Sequence, residues 1–378
     1  MLRIVFVGAG WFANHVHGPA LAHYAREHPG EVELAAVCVR RSVDKAEAFC
    51  RAFGFQRVYT DLEEMLDREK PGACWVVTPI EATRRVAGHV MERNLPVLFE
   101  KPPGANLEEA RELAEISRRT GTPNQVAFNR RWAPGTRRVL SWANEHGPVE
   151  YIYARMLRLD RMDEEFAYGT GIHLLDCVRC LGEPTAGSVR EAKTVRVESN
   201  CGTNGTNGTE NGTNGTGKGL AGHGSGTLSE GETARSERQT ERSERETERS
   251  ERPPIFNFHV DLTFASGGRG RCDILPACGK LEESYTLYTP LHTITCSLPW
   301  SAGTTELDGK AELWVNGEVV ESEAYAFDPP HLSNGVYGEI QEFIAALREG
   351  RKPSPSAEEV VDSVALAEAV QAGRDIAF

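Results

Sequence analysis

The sequence has no apolar run long enough to cross a membrane, since a membrane-spanning helix needs about 20 consecutive apolar residues. The apolar N-terminal stretch 1–8 is short and runs directly into a glycine turn, with no small-residue cleavage site after it. We therefore expect neither a signal peptide nor a membrane partner.

Positive charge is also scarce. The chain has 378 residues, of which 42 are basic and 55 acidic, and its net charge is −13. Residues 201–254 contain seven of the basic residues and nine of the acidic ones, so most of the acidic excess belongs to the rest of the chain. A surface of this sign repels a phosphate backbone unless a local basic patch overrides it. The composition therefore argues against a nucleic-acid partner and favours a small-molecule substrate.

The nine cysteines are odd in number and scattered among apolar neighbours, which is not the pattern of a disulfide framework. Reduced thiols predict a cytoplasmic location. Cys177 and Cys180 have the spacing of a zinc or redox pair, but the residues around them have helical apolar spacing and no second ligand pair lies nearby. We interpret both as core residues and expect no metal site.

The first third of the chain contains short apolar runs that alternate with amphipathic stretches. Strands buried on both faces have continuous apolar runs, and their alternation with helices is typical of a parallel, doubly wound sheet. The predicted strands are Arg3–Val7, Leu34–Val39, Cys74–Thr78, Val97–Phe99 and Gln125–Phe128. We predict an α/β fold with a Rossmann, dinucleotide-binding domain over residues 1–129.

The pattern changes after residue 130. Strand-like runs recur at 150–156, 256–264, 281–288, 293–298 and 312–320, the last with an Asn316-Gly317 hairpin signal. We predict that residues 130–378 form a C-terminal α+β domain with a large, mostly antiparallel open sheet. Repeats of Asn-Gly-Thr and Ser-Glu-Arg interrupt this domain at about 201–254. The repeats have too few apolar residues to bury a core, so we predict a disordered insertion.

The first predicted strand is followed directly by Gly-Ala-Gly-Trp-Phe-Ala at 8–13, a G-x-G-x-x-A motif. In such a turn the first glycine permits the tight bend, the second lets a pyrophosphate approach the backbone, and the small last residue lets helix pack on strand. The N-terminus of the helix presents unpaired N–H groups to the phosphates. The motif predicts a dinucleotide site with Gly8, Gly10, Trp11, Phe12 and Ala13 as cofactor-binding residues.

The end of the second strand bears on the choice between NAD and NADP. An NAD-specific site has an acidic residue there to bind the ribose hydroxyls, but this chain has Arg40, Arg41 and Ser42. Two guanidinium groups and a hydroxyl suit a 2′-phosphate, so these three cofactor-binding residues favour NADP over NAD. The alternative, in which the arginines belong to a solvated loop, stays open.

The fifth predicted strand ends in Glu100 and Lys101, followed by two prolines. Ligands of open α/β sheets bind at the carboxyl ends of the strands, so Lys101 is expected where the nicotinamide lies. A lysine there can hydrogen-bond a substrate hydroxyl and favour its oxyanion as the hydride leaves. Lys101 is therefore predicted to contact cofactor and substrate and to be catalytic.

The glycine motif, Thr78-Pro79, the Glu-Lys-Pro sequence at 100–102 and the Gly-Ile-His-Leu-Leu-Asp stretch at 171–176 together resemble the Gfo/Idh/MocA family. The family is named for glucose-fructose oxidoreductase and inositol dehydrogenase. The resemblance implies an NAD(P)-dependent oxidoreductase that transfers a hydride between a nicotinamide cofactor and a carbinol or ketone of a sugar, polyol or related small molecule. It also implies Thr78, Pro79 and Glu100 as cofactor contacts, and a homo-oligomer that forms through the C-terminal sheet.

In that family the lysine of the signature and the histidine of the Gly-x-His helix, here Lys101 and His173, are catalytic. Histidine suits removal and return of the carbinol proton, because its ordinary pKa lies near neutrality. His173 is also expected to contact substrate, as is Asp160 on the preceding loop. Arg130 and Arg131 are predicted either to anchor polar substrate groups or to bridge the two domains.

Two positions depart from the family pattern. Gly169 stands where many members have an aspartate, four residues before the histidine, and Thr83 stands where many have a histidine. We therefore expect a changed proton relay, in which Tyr168 is the nearest replacement acid or base and Asp160 and Asp163 are the alternatives.

Two other functions stay open at this point. A cofactor-binding sensor or regulatory protein would keep the glycine motif and the arginines, but it would need neither Lys101 nor His173. A transient-oxidation hydrolase or epimerase would recycle its own nucleotide, so net consumption of added cofactor would distinguish it from a dehydrogenase.

Overall fold

The computed structural model describes residues 1–161, 163–199, 254–302, 305–326 and 329–378. Its first part is a six-stranded parallel sheet with the strand order β3-β2-β1-β4-β5-β6. The strands are β1 (Leu2–Val7), β2 (Val32–Cys38), β3 (Arg57–Tyr59), β4 (Ala73–Val76), β5 (Val97–Phe99) and β6 (Asn124–Val126). The helices are α1 (Gly18–Glu27), α2 (Val43–Phe53), α3 (Leu62–Glu69), α4 (Ile80–Glu92) and α5 (Leu107–Thr120).

Both faces of this sheet are packed, as continuous apolar strands require. Along β1, Ile4 and Phe6 belong to one apolar core, whereas Val5 and Val7 belong to the other. Side-chain caps begin two of the helices. The Asp61 carboxylate accepts a hydrogen bond from an amide in the first turn of α3 at 2.8 Å, and the Asn106 side chain does the same for α5 at 3.0 Å.

The second part is a nine-stranded sheet with the strand order β16-β15-β12-β11-β7-β10-β9-β8-β17. The strands are β7 (Tyr151–Leu157), β8 (Val189–Ser199), β9 (Ile255–Phe264), β10 (Arg269–Leu275), β11 (Glu282–Thr289), β12 (His292–Ser297), β15 (Gly309–Val315), β16 (Glu318–Tyr325) and β17 (Ile376–Ala377). β7 and β10 pair in parallel, and the other described pairs are antiparallel. β13 (Trp300–Ala302) and β14 (Thr305–Leu307) form a separate pair. The predicted fold class is confirmed, whereas the predicted insertion at 201–254 lies outside the described residues except for Pro254.

Two helices, α6 (Pro134–His146) and α7 (Ile172–Ala186), pack on one face of the nine-stranded sheet. A π-helical turn, Ala167–Gly171, leads directly into α7. Asn316 and Gly317 join β15 to β16 with φ of 51° and 86°, the left-handed pair of a tight hairpin turn. The hairpin signal in the sequence is confirmed.

The chain then returns to the first sheet. After α8 (Pro330–Ser333), the helix α9 (Val336–Glu349) packs on the face that carries Phe6 and Trp75. The ring of Phe343 meets the Trp75 indole edge to face, with 5.1 Å between ring centroids. The last helix, α10 (Val361–Gln371), packs against α5 and α7. The C-terminal segment therefore contacts both parts of the molecule.

No helix within the described ranges is long and apolar enough to span a bilayer. The eight cysteines outside the undescribed segments are free thiols. Cys177 is fully buried in α7 and Cys180 partly so.

Candidate active site

A cleft of about 980 Å³ opens at the carboxyl ends of β1, β2, β4 and β5. Every residue predicted to bind the cofactor lines it. These residues are Gly8, Gly10, Trp11, Phe12, Ala13, Arg40, Arg41, Ser42, Thr78, Pro79, Glu100 and Lys101. The cleft thus lies where a parallel sheet is expected to bind its ligand.

The glycine turn has the geometry that close approach of a ligand requires. Gly8 has a φ of 114°, and a Cβ there would lie 2.1 Å from the carbonyl oxygen of Val77. A Cβ on Gly10 would meet nothing within 4 Å, so the space beside this residue is open. Ala13 is fully buried against the first strand's core, whereas Trp11 and Phe12 are exposed. The turn can therefore hold a pyrophosphate at the start of the following helix.

The rim of the cleft beside β2 is basic. Arg40, Arg41 and Ser42 are exposed there, and Ser42 begins α2 with a left-handed φ of 59°. Lys45 on α2 and Arg85 on α4 also line the cleft. Sequence reasoning missed these two cations, although Lys45 lies one helical turn after Ser42.

A buried histidine fixes the acidic residue of the Glu-Lys-Pro signature. His17, which sequence reasoning also missed, donates from Nε2 to Glu100 Oε1 at 2.6 Å. The other carboxylate oxygen accepts from the Lys101 amide at 3.1 Å. Burial alone would raise the pKa of Glu100, but the His17 hydrogen bond and the charges of His17 and Lys101 together lower it. Glu100 is therefore an anion beside Lys101.

Lys101 joins the two parts of the molecule. Its Nζ donates to the carbonyl oxygen of Gly169 at 2.9 Å, in the π-helical turn before α7. It also lies 5.9 Å from the ring centroid of Phe12. Burial lowers the pKa of Lys101; Glu100 opposes this shift, and the charges of Arg130 and Arg161 add to it.

His173 lies in the first turn of α7, four residues after the carbonyl group that Lys101 contacts. Its side chain is buried, and the Phe128 ring meets it edge-on with 6.2 Å between centroids. Burial lowers the pKa of His173 well below its ordinary value, and the charges of Lys101, Arg130 and Arg158 lower it further. The imidazole is therefore neutral at physiological pH and able to accept a proton.

Arg130 and Arg158 share one buried carboxylate. Arg130 Nε donates to Glu283 Oε1 at 3.1 Å, and Arg158 Nη2 donates to Glu283 Oε2. The Trp300 ring lies over both guanidinium groups, with centroid distances of 4.9 and 4.2 Å. The structure thus brings Arg130 to the His173 end of the site.

Arg131 has a different environment. It makes a two-pronged contact with Asp176 in α7, with distances of 2.8 and 2.7 Å, and Ser363 donates to the same carboxylate at 2.7 Å. This contact joins the segment after β6 to α7. A two-pronged arginine–carboxylate contact of this kind fixes the orientation of both side chains.

The Tyr168 side chain contacts another segment of the chain. The Tyr168 hydroxyl is buried and donates to the carbonyl oxygen of Gly104 at 2.9 Å, and burial raises its pKa strongly. Asp160 is exposed on the loop after β7, with a φ of 44°. Gly169 stands at the position where many family members have an aspartate. Its backbone carbonyl oxygen accepts the hydrogen bond from Lys101.

Thr83, the other departure, is buried in α4. Its hydroxyl lies 3.3 Å from the Thr78 hydroxyl and donates to the Pro79 carbonyl oxygen at 3.3 Å. It therefore holds the Thr78-Pro79 turn at the cleft.

Residues 2–128 match the family model described as "Oxidoreductase family, NAD-binding Rossmann fold". D-glucoside 3-dehydrogenase of Escherichia coli is 28% identical over 222 residues, which are 54% of this chain and 61% of that protein. D-apiose dehydrogenase of Paraburkholderia graminis is 26% identical over 188 residues, which are 46% and 48% of the two chains. The matched regions thus span only about half to three fifths of the length of these relatives.

Solved structures extend the likeness to the whole chain. A dehydrogenase from Chromobacterium violaceum has a TM-score of 0.71 at 15% identity, covering 99% of this chain and 95% of its own. A myo-inositol dehydrogenase from Corynebacterium glutamicum has a TM-score of 0.66 at 17% identity, covering 100% and 99%. At such low identity these matches establish the fold.

Proposed function

We propose that this chain is an NAD(P)-dependent dehydrogenase of sugar or polyol carbinols and a member of the Gfo/Idh/MocA oxidoreductase family, whose NAD-binding model matches residues 2–128. One observation carries the proposal: the Lys101 ammonium group reaches across to the Gly169 carbonyl, one helical turn from the buried, neutral His173. A protein that only binds a nucleotide has no need of this pair.

The glycine turn fits the cofactor, because the space beside Gly10 is open and Gly8 leaves no room for a side chain. We propose that the pyrophosphate binds there and that Arg40, Arg41 and Ser42 bind the 2′-phosphate of NADP, assisted by Lys45 and Arg85. NAD is the alternative. The described residues of the β2–α2 turn include no carboxylate that could bind the ribose hydroxyls, as an NAD-specific site would require.

The glycine turn and the β2–α2 turn would hold the cofactor, whose nicotinamide would supply the hydride acceptor for the carbinol carbon in the oxidative direction. We propose that Lys101 Nζ donates a hydrogen bond to the carbinol oxygen and stabilises its developing negative charge. His173 Nδ1 is fully buried and without a partner in the described part of the chain, so Nε2 is the proposed acceptor of the hydroxyl proton. The products are a ketone, the reduced cofactor and a proton on His173.

Glu100 and His17 are proposed to hold the Lys101 segment rather than to react. We propose a related supporting function for Tyr168, whose hydroxyl fixes the Gly104 segment after Lys101. Thr78 and Pro79 are proposed to contact the cofactor at the edge of the cleft.

We propose that residues 1–129 bind the cofactor and that residues 130–378 bind the substrate. We propose that the polar outer face of the nine-stranded sheet, where Tyr153 and His259 both contact Asp273, forms a homo-oligomer interface. We propose a reducing compartment such as the cytoplasm, because the eight cysteines among the described residues are free thiols.

The decisive test is titration of wild type and Arg41→Ala with NADPH and NADH by fluorescence or calorimetry. Arg51→Ala is the matched control, because Arg51 is an exposed arginine on α2 that does not line the cleft. We expect Arg41→Ala to weaken NADPH binding by about 10-fold or more and to leave NADH binding nearly unchanged.

Turnover of a polyol and aldose panel at saturating cofactor then tests the chemistry. Net cofactor reduction that depends on His173 supports a dehydrogenase. Tight cofactor binding without turnover of any carbinol would instead make the chain a sensor, and turnover without net cofactor consumption would make it a hydrolase or epimerase.

A further inference from the structure

One guanidinium group at the site has unused hydrogen-bonding capacity. Arg130 exposes 7% of its side chain, and its Nε is bonded to Glu283. An arginine has five N–H donors, and the described residues offer an acceptor to only one of them. Buried charged groups normally have their donors satisfied. The two Nη atoms of Arg130 are therefore available to a ligand.

The carboxylate that pairs with Arg130 does not supply the missing acceptor. Both Glu283 oxygens are occupied: Oε1 accepts from Arg130 Nε and from the Tyr285 hydroxyl at 3.0 Å, and Oε2 accepts from Arg158. Arg158 also donates to two backbone carbonyl groups, each at 3.1 Å. Two guanidinium groups and one carboxylate leave one excess positive charge in a buried place.

The geometry leaves the donor edge of Arg130 free for a planar anion. The Trp300 ring covers a face of the guanidinium group, whereas the N–H donors lie in its plane. Arg130 lies two residues after Phe128, whose ring meets His173 edge-on, and the charge of Arg130 lowers the pKa of His173, so the guanidinium group lies near the proposed proton acceptor. A single guanidinium fork matches the two oxygens of a carboxylate.

Building on the proposed function, we propose that the substrate is a sugar acid, whose carboxylate is bound by Nη1 and Nη2 of Arg130 while its carbinol faces Lys101 and His173. This assignment narrows the substrate class from neutral sugars and polyols to hydroxy acids of the aldonic or uronic type. Arg130 then determines specificity, and Arg158 and Glu283 hold it in position.

The test compares matched pairs of neutral and acidic substrates at saturating cofactor: glucose with glucuronate, galactose with galacturonate, and glucitol with gluconate. For wild type we expect kcat/KM to favour the acid of at least one pair by about 10- to 100-fold. Arg130→Lys keeps the charge but not the fork, and Arg130→Met loses both. We expect each to reduce the preference by at least 10-fold, mainly through a higher KM for the acid.

Arg155→Met is the matched control, since Arg155 pairs with Glu282 and is 41% exposed. It should keep the preference. Circular dichroism and cofactor titration establish that each variant is folded. A wild type that prefers the neutral member of every pair would overturn the inference and leave the dehydrogenase intact. An acid preference that survives in both Arg130 variants would also overturn it.

Absence of turnover on all pairs would contradict the proposed function, and binding then decides the inference. Calorimetric titration of cofactor-loaded wild type with the same acids should show binding that Arg130→Met loses. No binding of any of the acids would overturn the carboxylate assignment.

Discussion

Glu339 on α9 is a buried carboxyl group with no counter-charge bonded to it. The residue is 1% exposed, and neither carboxyl oxygen has a hydrogen-bond partner among the described residues. Burial raises the pKa of Glu339 well above its ordinary value, the charge of Glu100 raises it further, and Arg130 opposes the shift weakly. Glu100 has His17 and Lys101 as partners, so Glu339 is the carboxyl group that keeps its proton.

Replacement of Glu339 by glutamine should therefore change the pH dependence of stability. In wild type the folded protein holds a proton that the unfolded chain releases above a pKa of about 4.5. A raised pKa in the folded state contributes stability that is fully present below the unfolded pKa and is lost as the pH rises through the folded value. The loss is about 1.4 kcal/mol per pH unit between the two pKa values. Glutamine has no such dependence.

The measurement is urea unfolding of both proteins at pH 5, 6, 7 and 8. The free energy of unfolding of Glu339→Gln minus that of wild type should rise by about 1.4 kcal/mol per pH unit until the folded pKa is passed. Glu349→Gln is the control, because Glu349 lies on the same helix with 61% of its side chain exposed. A difference for Glu339→Gln that stays constant from pH 5 to 8 would refute the reasoning and mean that this carboxyl group is ionised in the folded protein.

Three more outcomes are expected. Because the pKa of His173 is lowered, kcat/KM should stay on its plateau as the pH falls through 6.5 and should decline only at lower pH. A decline of kcat/KM centred at pH 6.5 or above would contradict this. Tyr168→Phe removes one buried hydrogen bond to Gly104, so it should cost about 1 kcal/mol of stability and leave the pH profile of kcat unchanged; a shifted profile would restore Tyr168 as an acid or base. Gly8→Ala should unfold the turn, because the added Cβ would overlap a carbonyl oxygen. Gly10→Ala should keep the melting temperature of wild type and lose cofactor affinity. Equal melting temperatures of the two variants would contradict the close approach at Gly8.

The sequence was most informative where local chemistry decides the structure. The strand Val97–Phe99 has the predicted bounds, because a fully apolar strand is a local pattern. The strands Arg57–Tyr59, Val189–Ser199 and Arg269–Leu275 were not predicted. Many of their residues are polar or charged, and their pairing partners stabilise them.

The site was predictable as a set of residues but not as a set of contacts. The glycine turn and Lys101 follow from motifs that fix a backbone shape or a strand end. The His17–Glu100 hydrogen bond joins residues 83 apart, and Arg130 meets Glu283 across 153 positions. Such pairs depend on how the elements pack, which no spacing in the sequence reveals.

The position of α9 also bears on how the chain is made. Until residues 336–349 have been synthesised, Trp75 on the first sheet lacks the Phe343 ring that packs against it, whereas Phe6 on the same face already contacts Phe49 of α2. A Cβ on Gly335, which precedes that helix, would lie 2.0 Å from the Asn129 carbonyl oxygen, so only glycine permits this close approach of the two segments. The packing around Trp75 on the first sheet is therefore completed by a helix that lies far along the chain from its strands. A chain that lacks this helix exposes that part of the apolar face, and transiently exposed apolar surface of this kind is prone to aggregate.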